Sequence, residues 1–150
     1  MTGDVQQANL RLVRRFVDGY KTGGDESIAD DFFDPSFVNH STLPGIEPDL
    51  DGVKTLFRIM RAAFPDLHVD VEDMLADGDK VVTRQTFRGT HRGTYLGVAP
   101  TGRTVDWGVI DILRLRDGRA TDHWSEANLV SLLEQIGGLP PGGFDASRSS

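Results

Sequence analysis

The chain has 150 residues, no cysteine, and 16 basic against 23 acidic side chains, for a formal net charge of −7. Without cysteine there is no disulfide, thiolate nucleophile or cysteine-ligated metal, and an acidic chain with no basic cluster argues against a nucleic-acid partner. The length suits one domain with one core, no apolar run is long enough to span a membrane, and "MTGDVQQANLRLVRRF" lacks the pattern of a secretory signal, so a cytoplasmic protein without a membrane partner is expected.

Val5, Ala8, Leu12, Val13, Phe16, Val17 and Tyr20 recur at helical spacing and predict a first helix that ends at "KTGG", where paired glycines favour leaving it. "SIADDFF" reads as a short apolar turn, and "DPSFVNH" as an irregular link or short strand. Asp49 or Asp51 can cap a second helix, whose apolar face holds Val53, Leu56, Phe57, Met60, Ala63 and Phe64 before Pro65 breaks it. From Leu67 the period changes to two. "LHVDVEDML", "KVVTRQTFRGTH" and "RTVDWGVIDILRLR" predict strands, and "ADGDK" and "RDGR" carry the Asp-Gly signal of tight reversals. "TYLGVAPTGR" suits a loop, and "NLVSLLEQIGG" a short closing helix. The Pro, Gly and Ser content of "LPPGGFDASRSS" predicts a flexible tail over 139–150 behind a domain spanning 1–138. Helices followed by a meander predict an α+β domain, with helices laid on one face of a curved antiparallel sheet around a pocket.

One strand face presents Val105, Trp107, Val109, Asp111, Leu113 and Leu115. Asp111 is the exception on an apolar row, and a lone buried carboxylate must find a partner or change its ionisation. The following segment, "TDHWSEAN", offers His123, but the pairing depends on the turn. A two-residue loop at Asp117-Gly118 sets Asp111 opposite Trp124. A three-residue loop over Arg116-Asp117-Gly118 sets it opposite His123, with Ser125 beside Val109 and with Trp124 and Glu126 on the other face. The second register is favoured because it gives the acid an imidazole.

The stretch from "AFPDLHVDVEDMLADGDK" through "GTHRGTYLGVAPTGR" to "DHWSEANLVSLLEQIG" resembles the SnoaL-like polyketide cyclases of the wider NTF2-like, or cystatin-like cone, superfamily, over about Leu10 to Gly137. Gly89-Thr90-His91, Gly93, Gly97 and Pro100-Thr101-Gly102 are its most specific part. The resemblance implies a cone-shaped pocket and intramolecular aldol ring closure of a polyketide ester without cofactor or metal. It also implies a general acid/base aspartate one residue past Trp124, where this chain has Ser125. A serine does not transfer protons unaided near neutral pH, so the proton chemistry falls to other groups.

The expected catalytic groups are His123, oriented and polarised by Asp111 and leaving its other ring nitrogen to shuttle a proton, and Glu126 if a bulge turns it inward. Tyr20, His40, Leu56, Phe64, Arg84, His91, Trp107, Val109 and Ser125 are expected to contact substrate. Each has a structural competitor: Asp111–His123 as an internal hydrogen bond, Trp107 as core, His91 as the anchor of the next loop, His40 as a turn cap, and Arg84 as an outer-face partner of Arg88. His68, Asp70 and Glu72 alternate on one face and read as a solvated row rather than metal ligands. The expected protein is thus a cofactor-free cyclase or isomerase with a small polyketide-like substrate. The alternatives are an epoxide hydrolase using Asp111 and Arg84, or a non-catalytic carrier. Exposed Ile110 and Ile112 favour a homo-oligomer, a dimer or tetramer.

Overall fold

The computed structural model describes residues 3–140 and 142, so most of the expected C-terminal tail lies outside the described residues. Helix α1 (Gly3–Phe16) turns Val13 and Phe16 inward on its amphipathic stripe. The stripe does not end in an ordinary cap. Val17–Thr22 continue as a π-helical turn, with the Gly23 N–H donating to the Asp18 carbonyl at 3.1 Å. A Cβ on Gly23 would lie 2.5 Å from the Gly19 carbonyl oxygen, so glycine is what allows this wide turn to close.

"SIADDFF", read as a turn, is helical up to Phe32, in helix α2 (Glu26–Phe32), whose first turn is capped by Asp25 accepting the Ser27 N–H at 3.0 Å. Strand β1 (Phe33–Asn39) follows at once. Helix α3 (Leu50–Ala63) takes Asp49 as its cap, the side chain accepting the Gly52 N–H at 2.9 Å, while Asp51 sits in the first turn.

Strands β2 (His68–Asp77), β3 (Lys80–Thr90), β4 (Thr104–Arg116) and β5 (Arg119–Ala127) make the expected antiparallel meander, in the order β1-β5-β4-β3-β2. β1 corrects the all-antiparallel expectation: it pairs in parallel with β5, Asn39 beside His123, which makes the curved sheet mixed. Its polar Asp34-Pro35-Ser36 centre is tolerated because it lies at a sheet edge.

Alternation on β4 is strict, with Val105, Trp107, Val109, Asp111, Leu113 and Leu115 all buried. The same face of β3 buries Val81, Thr83, Gln85 and Phe87. These rows meet the aromatic side chains of α1, α2 and α3 in one core. Helix α4 (Leu129–Ile136) closes one end, where Gln135 Nε2 donates to the Asp106 carbonyl at 2.6 Å and Gly137 supplies the left-handed residue after its last turn. No helix among the described residues is long and apolar enough to cross a membrane.

Candidate active site

The helices do not fill the cone. A cavity of about 430 Å3 remains, walled by Phe33, Phe37, Leu56, Phe57, Met60, Phe87, Trp107 and Val109. Its polar part is formed by Lys21 beside α1, Asn39 to Thr42 at the end of β1, Asp111 on β4, and His123, Ser125 and Glu126 on β5.

The reversal at "RDGR" decides which side chains of β5 face inward. Arg116 pairs with Arg119, so Asp117 and Gly118, at φ 50 and 79, form a two-residue loop rather than the favoured three-residue one. A bulge then inserts one extra residue, because Leu115 pairs with Ala120 but Arg114 with Asp122. Asp111 therefore lies opposite Ser125, and His123 opposite Leu113. Neither expected register occurs, yet the bulge leaves His123 and Ser125 on the inward face. His123 reaches Asp111 diagonally, Nε2 to Oδ1 at 3.2 Å.

The sequence reading missed the main partner of Asp111. Lys21, 5% exposed, places Nζ 2.5 Å from Asp111 Oδ2 and donates to Gln85 Oε1 at 2.8 Å. Gln85 Nε2 in turn donates to Asp111 Oδ2 at 2.8 Å and to Thr83 Oγ1 at 2.7 Å. The rings of Phe16, Phe57 and Phe87 surround the ammonium at 5.5–5.9 Å. Burial alone pushes Asp111 up, but the Lys21 charge beside it and the contact with His123 hold it well below the usual carboxylate range.

His123 Nδ1 lies 3.0 Å from Asn39 Oδ1, an oxygen fixed as an acceptor because it also takes the Ser41 N–H at 3.0 Å. The second ring nitrogen is thus engaged rather than free to shuttle, which corrects the expected arrangement. Both ring nitrogens face oxygens, Nε2 toward Asp111 Oδ1 and Nδ1 toward Asn39 Oδ1. The Ser125 N–H donates to Ser41 Oγ at 2.9 Å.

Other expected site residues divide by position. Leu56, Trp107, Val109 and Ser125 line the cavity. His40 stands at its mouth, stacked on Trp124 at 4.8 Å with Nε2 2.9 Å from Asp122 Oδ1. Glu126 pairs with Ile110 and is exposed, reaching only the rim, because the bulge shifts it to the outward face. Tyr20 is fully buried between Phe16 and Phe57, and it is Lys21, the next residue in the π-helical turn, that reaches the cavity. Phe64 lies behind Trp107, ring centroids 5.2 Å apart, outside the cavity lining. Arg84 is on the outer face, bonded to Asp73 at 2.8 Å. His91 is wholly buried and anchors its loop by accepting the Thr101 N–H at 3.2 Å. His68 and Asp70 pair with each other on the exposed face of β2.

The sequence profile of the SnoaL-like polyketide cyclases matches residues 11–136. The chain belongs to this family of enzymes. Among characterised SnoaL-like relatives, the aklanonic acid methyl ester cyclase AcmA of Streptomyces galilaeus is 27% identical over 85% of this chain and 90% of its own length. Solved structures agree on the fold. AclR of S. galilaeus, described as a candidate hydroxylase, superposes with a TM-score of 0.81 at 31% identity over 90% of this chain and 84% of its own. TsrD of Streptomyces laurentii gives 0.80 at 30% identity, covering 89% and 98%.

Proposed function

We propose that this protein is a cofactor-independent cyclase that closes a ring in a polyketide-like, largely apolar intermediate. The observation that carries the reading is a buried Lys21–Asp111–His123 array opening into an otherwise apolar and aromatic cavity. An apolar hollow holds a flexible substrate folded, and proximity of that kind is the larger part of what a ring closure requires. The charged array then acts on the oxygen at which charge develops.

Asp111 is tied to Lys21 and Gln85 and serves to orient the ring of His123. His123 is the acid. The proton on Nδ1, shared with the neutral Asn39 amide, is the one for which a substrate oxygen competes. A positioned proton donor contributes about 10²–10⁴-fold. The compounds for which AcmA and the nogalonic acid methyl ester cyclase of Streptomyces nogalater are named, aklanonic and nogalonic acid methyl esters, are the first to test. With whichever is turned over, His123→Ala is expected to lower kcat by about 10²-fold or more while circular dichroism stays that of the wild type. Undiminished turnover in a folded variant removes the assigned role. Epoxide hydrolysis finds less support, since Arg84 lies outside the cavity.

A further inference from the structure

Arg61, in the last turn of α3, departs from the pattern of its helix neighbours. Lys54 and Arg58 bond to Asp30 and Glu26 of α2, whereas no carboxylate among the described residues pairs with Arg61. Its guanidinium is directed instead at the π-helical turn that carries Lys21. Nη2 donates to the Tyr20 carbonyl and reaches the Lys21 carbonyl at 3.5 Å. Carbonyls at a helix end lack partners within the helix, and a π-helical turn is a rare, wide form that gains from being held by another element. The guanidinium also lies 5.0 Å from the Tyr20 ring centroid and 5.5 Å from that of Phe57, the same ring that stands 5.9 Å from the Lys21 ammonium. Room for this approach comes from Gly24, at φ 72, where a Cβ would lie 3.1 Å from Arg61 Nε.

We propose that Arg61 is a positioning residue: standing outside the cavity lining, it clamps the backbone of the π-helical turn and thereby fixes the aim of Lys21 at Asp111. Its effect on turnover rests on reading the cavity as the substrate site of a cyclase. Lys21 carries its ammonium on a flexible four-carbon stem, so the charge is aimed only as well as its backbone is held. A small shift of the turn opens the 2.5 Å contact with Asp111 Oδ2 and the 2.8 Å bond to Gln85. Asp111 then loses the neighbouring charge that holds its carboxyl below the ordinary range, and His123, 3.2 Å from the other oxygen, loses a fixed anchor. Helix α3 thus sets the polar end of the site through Arg61, besides the apolar wall that it supplies with Leu56, Phe57 and Met60.

The test compares the wild type with Arg61→Met, which keeps an apolar stem over Tyr20 and Phe57 but has no donor, and with Arg61→Lys, which restores one. The chain has three lysines, Lys21, Lys54 and Lys80, so labelling of the whole folded protein with acetic anhydride, read by peptide mass, follows Lys21 beside two internal controls. Lys21 is expected to react at least about tenfold faster in Arg61→Met than in the wild type, with Lys54 and Lys80 unchanged, because the ammonium leaves its pocket more often. Arg61→Lys is expected to return that rate to within about threefold of wild type. With a substrate that is turned over, Arg61→Met is expected to lower kcat by about 10- to 10²-fold at unchanged KM, as a displaced charge at the reacting end would. Wild-type labelling of Lys21 in Arg61→Met, no recovery in Arg61→Lys, or a loss of turnover lying wholly in KM overturns the proposal. Faster labelling of all three lysines, or a Met variant that does not fold, overturns it too, since Arg61 is then only structural. Labelling needs no substrate, so a wild type without turnover would defeat the cyclase reading and leave the labelling result to decide the clamp.

Discussion

At the scale of single residues, the site turns on an ion pair that apolar periodicity concealed. Val13, Val17 and Lys21 form one i, i+4 row, so the lysine continues the buried stripe of the first helix, but a charged residue before two glycines reads as a helix end. Gln85 gave a similar signal, as a polar member of the inward row Val81, Thr83, Gln85, Phe87. Breaking a buried pair leaves one charge uncompensated, so Lys21→Met is expected to destabilise the fold by about 3–5 kcal/mol in urea denaturation. Replacing both partners removes that penalty, and Lys21→Met with Asp111→Leu is expected to recover most of the loss. A double variant as unstable as the single one would show that Asp111 is not the group that makes Lys21 necessary. Glu126→Gln, by contrast, touches only an exposed rim position, and its turnover is expected to stay close to wild type.

At the scale of elements, the β4–β5 hairpin assembles the site by two compensating departures from a regular ladder. The two-residue loop alone would set Asp111 against Trp124, and the bulge at Thr121 moves the register by one, so that His123 and Ser125 share the face of Asp111. Deleting Thr121 removes the unpaired residue and lets Ala120 and Asp122 pair regularly with Leu115 and Arg114, so His123 and Ser125 are expected to keep the face of Asp111 and turnover to survive. Loss of activity in a folded deletion variant would mean that the bulge shapes the site beyond the register it sets. At the loop itself, Gly118 holds φ 79, and Gly118→Ala is expected to cost about 1–2 kcal/mol in thermal or chemical unfolding.

At the scale of the whole molecule, several carboxylates are held below their ordinary range. Backbone and hydroxyl hydrogen bonds from Thr90 do this for Asp66, His40 for Asp122, and Lys21 with His123 for Asp111 despite its burial. Groups lowered in the folded state contribute stability that is fully present above their unfolded values, about pH 4, and lost as pH falls through the folded ones. Stability is therefore expected to hold near neutrality and to fall steadily below about pH 4 in urea denaturation at stepped pH. Asp111→Asn is expected to flatten part of that slope. An unchanged slope would place the acid sensitivity elsewhere.

The amino-acid sequence by itself determined the α+β layout, because helix and strand periods of burial are local properties: the stripes of α1 and α3 and the strict alternation of β4 are written in residues a few positions apart. It also marked Asp111 as a group needing a partner, since a carboxylate on an apolar row is conspicuous. Only the tertiary structure decided who that partner is. Lys21 stands 90 residues away in the chain, and its aim depends on a π-helical turn that no period announces. The bulge at Thr121 and the parallel docking of β1 on β5 are likewise set by packing between distant segments, where a shift of one residue exchanges the inner face for the outer.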